Sequence, residues 1–169
     1  GEWNVGEIKG TKKTKKIIWT TLIVALLLIL GSFAYSIFIA KPEIKNISWE
    51  GPVNEGNICE FLSGTNLVGG LSKNSVISFK TYDFETGYRN IRTSCIMTKG
   101  KAVSGQAIKY DINIMLHEKY VSDLEANVCE TIQNSRKTDD LDFELNTGLV
   151  KLFFKYIKTL KYGNCAGFI

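Results

Sequence analysis

The sequence predicts an α+β protein: an N-terminal single transmembrane helix followed by an exoplasmic antiparallel β-sheet domain with two covering helices and two disulfides. Three observations predict it. Residues 17–40, IIWTTLIVALLLILGSFAYSIFIA, contain no charged side chain. Beyond them, segments with an apolar period of two are followed by segments with a period of three to four, the pattern of strands and then helices. All four cysteines, Cys59, Cys95, Cys129 and Cys165, lie after the apolar run.

Taken in order, residues 1–16 form a basic tail with five lysines and two glutamates. This tail carries +3 of the net charge of +4, so the basic excess belongs to the anchor and not to a nucleic-acid surface. Lysines in a short flank stay on the cytoplasmic side, which places the tail inside and the rest of the chain outside. Lys12, Lys13, Lys15 and Lys16 also stand where anionic headgroups would be, and are candidate membrane-surface contacts. As a helix, residues 17–40 would span about 36 Å, against a hydrocarbon core of about 30 Å. The run exceeds the usual core of a cleaved signal, roughly 7 to 15 residues, so an uncleaved signal-anchor is expected. Trp19 and Tyr35 suit its two interfaces, and Gly31, Ser32 and Ala34 offer small side chains against which a partner helix packs closely.

Residues 41–169 form the disulfide-stabilised domain. Lys41-Pro42 ends the helix. Residues 43–50 read as a first strand, with a formal glycosylation acceptor at Asn46-Ile47-Ser48, and residues 57–62 as a second. Residues 63–72, SGTNLVGGLS, read as a loop; no Gly-Lys-Ser/Thr follows the glycines, so a phosphate cradle is not indicated. Residues 75–84 and 88–98 read as a hairpin about Glu85-Thr86-Gly87, and Lys99-Gly100-Lys101 turns the chain again. Residues 108–116 alternate most cleanly, with Ile108, Tyr110, Ile112, Ile114 and Leu116 on one side and Lys109, Asp111, Asn113 and Met115 on a mostly wet one. A sheet with one wet face is usually antiparallel.

From His117 to Gln133 the apolar spacing becomes three and four, through Tyr120, Val121, Leu124, Val128 and Ile132, and predicts the first covering helix. Residues 136–142 read as a polar connector. The second helix covers residues 149–160, with Asn146 and Thr147 as candidate caps. Its apolar residues Val150, Phe153, Phe154, Ile157 and Leu160 are expected to pack on the sheet. The alternative is a basic amphipathic helix on a membrane surface, with Lys151, Lys155 and Lys158 as contacts.

An even cysteine count confined to one side of the span points to an oxidising compartment: cell surface, secretory lumen, periplasm or intermembrane space. Cys59 to Cys95 and Cys129 to Cys165 are both separations of 36, which favours sequential pairing among the three possible connectivities.

Catalytic chemistry is not indicated. His117 is the one histidine, and a single histidine is more often structural than catalytic. No cysteine pair has the two-to-four spacing of a zinc site or the Cys-x-x-Cys of a dithiol oxidoreductase. Asp139, Asp140, Asp142 and Glu144 cluster without the glycine and spaced oxygens of a calcium loop, and read as solvated charge. No cofactor is expected. The leading functional expectation is a non-catalytic accessory or scaffold subunit of a membrane protein complex, with membrane lipid and other membrane-protein subunits as partners. The rivals are a membrane-anchored binding module for a lipid or other small apolar ligand, and an enzyme completed by a partner chain.

Overall fold

A computed structural model describes residues 12–38, 43–46, 48–85 and 87–166. The chain divides after Ile39 into two compact units. The first is a single 27-residue helix, α1 (Lys12–Phe38). Its described side chains, residues 17–32 and Tyr35, are all exposed. Among the described residues no helix is long and apolar enough to cross a membrane. The span expected over residues 17–40 is therefore not a structural finding.

The second unit holds α2 (Ile58–Ser63), α3 (Asn66–Gly70), β1 (Ile77–Glu85), β2 (Tyr88–Thr98), β3 (Lys101–Ser104), β4 (Ile112–His117), α4 (Val128–Lys137), β5 (Leu141–Leu145), α5 (Leu149–Tyr156) and α6 (Gly163–Ala166). The strands form one five-stranded sheet, ordered β3-β2-β1-β4-β5. Two tight turns open it. Glu85 pairs with Tyr88 and Thr98 with Lys101, and Gly87 (φ 84°) and Gly100 (φ 75°) supply the left-handed backbone those turns require.

The sheet is mixed, which corrects the antiparallel expectation. β1–β2, β2–β3 and β4–β5 are antiparallel, but β1 and β4 are parallel, with Ile77 opposite Ile112 and Tyr82 opposite His117. The reason is the link at residues 105–111. It carries the chain from β3 at one edge back past β2 and β1, so that β4 enters from the same end as β1. Asp111 closes that entry: its N–H donates to the Val76 carbonyl at 2.8 Å, and its carboxylate accepts the Val76 N–H at 2.9 Å.

Several local expectations are corrected. Residues 57–62 are not a strand: Ile58, Phe61 and Leu62 are buried at helical spacing on α2. The expected loop at 63–72 contains α3, whose first turn is capped by Thr65 accepting from the Val68 N–H. Among the described residues of 43–50, the strand pairing is a single isolated bridge between Asn46 and Thr65. The helix expected over residues 117–133 is interrupted. Two 3-10 turns, Glu118–Tyr120 and Ser122–Leu124, precede α4, which Asn127 caps in extended conformation by accepting from the Glu130 N–H. The connector expected at 136–142 contains the end of α4 and the start of β5.

The core lies on one sheet face. Phe79, Cys95, Met97 and Leu116 from the strands meet Ile58, Phe61, Val68, Val121, Leu124 and Val128 from the helices and turns. Burial of such side chains contributes roughly 1.5–3 kcal/mol each. Two disulfides reinforce it, Cys59–Cys95 joining α2 to β2 and Cys129–Cys165 joining α4 to α6. This is the sequential pairing expected from the equal spacing.

Candidate functional site

The C-terminal helix is turned opposite to expectation. On α5 and the turn after it, Tyr156 and Thr159 are buried and Leu152, Lys155 and Leu160 half-buried, at the three-to-four spacing of one helix face. Leu149, Val150, Phe153, Phe154 and Ile157 face solvent, with Val150 73% and Phe154 70% exposed. The helix packs with a lysine inward and most of its large apolar side chains outward.

Asp111 is the physical reason. Its side chain is buried where β1, β4 and β5 meet α5. Lys155 Nζ lies 2.7 Å from Oδ1, the Tyr156 hydroxyl donates to Oδ2 at 2.9 Å, and the Thr147 hydroxyl donates to Oδ1 at 3.2 Å. The Asn146 N–H donates to the Asp111 carbonyl at 2.9 Å. Burial raises the Asp111 carboxyl, but the hydrogen bonds from Lys155, the Val76 N–H and Tyr156 outweigh it and hold the group below its ordinary range. Burial, followed by the hydrogen bond to Asp111, pushes the Tyr156 phenol well up. Rotating α5 to bury Phe154 would withdraw Lys155 and Tyr156 from this carboxylate and leave it buried without its donors.

This orientation leaves an apolar groove of about 510 Å³ beside α5. Ile112 and Leu145 form its sheet side, and Leu149, Leu152, Phe153 and Leu160 its other walls. Its volume lies in the range of small-ligand sites, and a lining without charged groups suits an acyl chain or another apolar body. A second cavity, about 350 Å³, is lined with polar groups including Lys45, Asn46, Glu125 and Asn127.

The other candidate residues are dispersed. Lys151 and Lys158 are exposed beside the outward face of α5, whereas Lys155 is only 18% exposed and is withdrawn as a surface contact. The side chains of Lys12, Lys13, Lys15, Lys16 and Ala34 lie outside the described residues. A Cβ built on Gly31 would meet nothing within 4 Å, and the Ser32 hydroxyl donates to the Ile29 carbonyl in its own helix. His117 ends β4, with its ring 5.3 Å from that of Tyr82 and its Nδ1 accepting from the Lys119 N–H. The acidic cluster separates into different contacts: Asp140 with Lys119, Asp142 with Arg89, and Glu144 with Tyr110 and Asn113. Among the described residues no group of three or more His, Cys, Asp or Glu is placed to hold a metal ion. Asn46 spends its amide on the Phe61 carbonyl at 2.6 Å.

The residue that sequence reasoning missed is Asp111, assigned to the wet face of its strand. Its position in a clean alternation hides its role, and a lysine 44 residues later gives no local signal.

No family model matches the chain, and no curated protein matches it. Among solved structures, the chain is similar to the sterol carrier protein domain 2 of Helicoverpa armigera, at 19% identity and a TM-score of 0.36, over 62% of this chain and 76% of that one. It is also similar to the UbiJ-SCP2 ubiquinone synthesis protein, at 12% identity and a TM-score of 0.33, over 68% of this chain and 88% of that one.

Proposed function

We propose that this protein is a membrane-anchored, non-catalytic binding module for a lipid or other small apolar ligand, held in the groove between the sheet edge and α5. The observation that carries the reading is the groove itself: about 510 Å³, walled by Ile112, Leu145, Leu149, Val150, Leu152, Phe153 and Leu160, with no charged side chain among the described residues that line it. An open apolar surface of this kind is costly in water and marks a binding site. The anchor is a reading of the sequence: residues 17–40 carry no charged side chain and follow a lysine-rich flank, the arrangement expected of a signal-anchor with its tail inside. Four cysteines in two disulfides support an oxidising compartment for the domain.

Native mass spectrometry of the full chain, released from a mild detergent, tests the reading. One bound lipid or apolar molecule per chain is expected, and its loss in L145E, which puts a carboxylate into the groove wall. A ligand-free chain in both proteins would overturn it. The competing reading, an accessory subunit, predicts a second protein retained at fixed stoichiometry through the same extraction.

A further inference from the structure

We propose that the outward face of α5 seats on an anionic bilayer surface, making a second membrane contact separate from the N-terminal helix. Leu149, Val150, Phe153, Phe154 and Ile157 are all solvent-facing, and Phe153 and Phe154 stack edge to face at 5.6 Å. The Asp111 contacts to Lys155 and Tyr156 hold the helix at this rotation, so the apolar face is built into the fold. Charge complementarity identifies the occupant. Residues 147–169 contain four lysines and no carboxylate side chain. Three of those lysines, Lys151, Lys158 and Lys161, are exposed around the apolar face, while Lys155 points inward. Aromatic and aliphatic side chains that reach the acyl boundary, with lysines whose stems run along apolar surface to headgroups, are the composition of an interfacial helix. A buried protein interface, by contrast, tends to be depleted of lysine.

The contact overlaps the groove at Leu149, Val150 and Phe153 and extends beyond it. Phe154 and Ile157 do not line the groove, and Leu160 and Ile112 do not belong to the outward face.

The test is depth quenching in the full chain. F154W is reconstituted in vesicles of phosphatidylcholine, with or without about a third phosphatidylglycerol, using brominated acyl chains as quencher. The unsubstituted chain, which keeps Trp3, Trp19 and Trp49, is subtracted. A blue shift and quenching of the added indole are expected with the anionic lipid, and both should be lost in the K151E/K158E/K161E background. An indole that stays unquenched in both lipid mixtures, or is quenched equally in both, overturns the proposal. Phe154 lies outside the groove and groove occupancy is read separately by mass spectrometry, so the two outcomes are distinguishable although the surfaces share Leu149, Val150 and Phe153.

Discussion

Lys155 lies 2.7 Å from the carboxylate of Asp111, on the side of α5 that faces the sheet. With Tyr156 donating to the same carboxylate at 2.9 Å, this contact decides which face of α5 meets water. Replacing Asp111 with alanine would strand a half-buried ammonium, a buried phenol and the Val76 N–H. D111A is expected to cost about 2–3 kcal/mol in urea unfolding of the full chain. Hydrogen exchange should accelerate through residues 149–157 while the β1–β2 hairpin keeps its protection. Unchanged exchange in α5 would mean that Asp111 does not hold the helix.

The same carboxylate gives an acid limb. The folded Asp111 carboxyl is held below its ordinary value, so its contribution to stability is fully present above the unfolded value near pH 3.9 and is lost as pH falls through the folded one. Asp140 acts in the same direction. Burial raises it, but hydrogen bonds from Lys119 and Thr138 bring it below the ordinary range. A melting temperature that is flat from pH 7 to about 5 and falls below about 4 is expected. D111N should flatten part of that fall, and a fall equally steep in D111N would assign the whole limb elsewhere.

Gly64 is required for space and not for its backbone angles, since its φ is −80°. A Cβ there would lie 2.5 Å from Asn46 Nδ2, which is itself bound to the Phe61 carbonyl. G64A should therefore destabilise by about 1–3 kcal/mol. The penalty should shrink in G64A/N46A, where the clashing amide is gone. Additive costs in the double variant would contradict this account.

The Cys129–Cys165 bond closes a 36-residue separation and ties α6 to α4. On the chain-entropy account its removal costs about 3–4 kcal/mol. C129S/C165S should release the segment after α5 to proteolysis well before the sheet is cut. Simultaneous cleavage of the sheet would show that the C-terminal segment is not an independent edge of the fold.

What could be read from residues alone follows the locality of the signal. The β1–β2 hairpin was legible because the two strands and their glycine turn are contiguous, and the disulfides because both pairs are 36 residues apart. α2 was misread as a strand because six apolar-rich residues fit either period. The parallel β1–β4 pairing depends on where residues 105–111 cross, which no local pattern encodes. The candidate groove is not legible in the sequence for a related reason. Helical spacing showed that Val150, Phe153, Phe154 and Ile157 share a face, but not that the face points outward. That direction is set by Asp111 and Lys155, which no local pattern connects.

The most direct test of the binding account is photolabelling of the full chain in phosphatidylcholine nanodiscs with a diazirine-bearing fatty acid, mapped by peptide mass spectrometry. The account predicts saturable labelling at Ile112, Leu145, Leu152 and Leu160, competed away by unlabelled fatty acid and lost in L145E. Labelling confined to residues 17–40, or groove labelling that excess fatty acid does not displace, would contradict it.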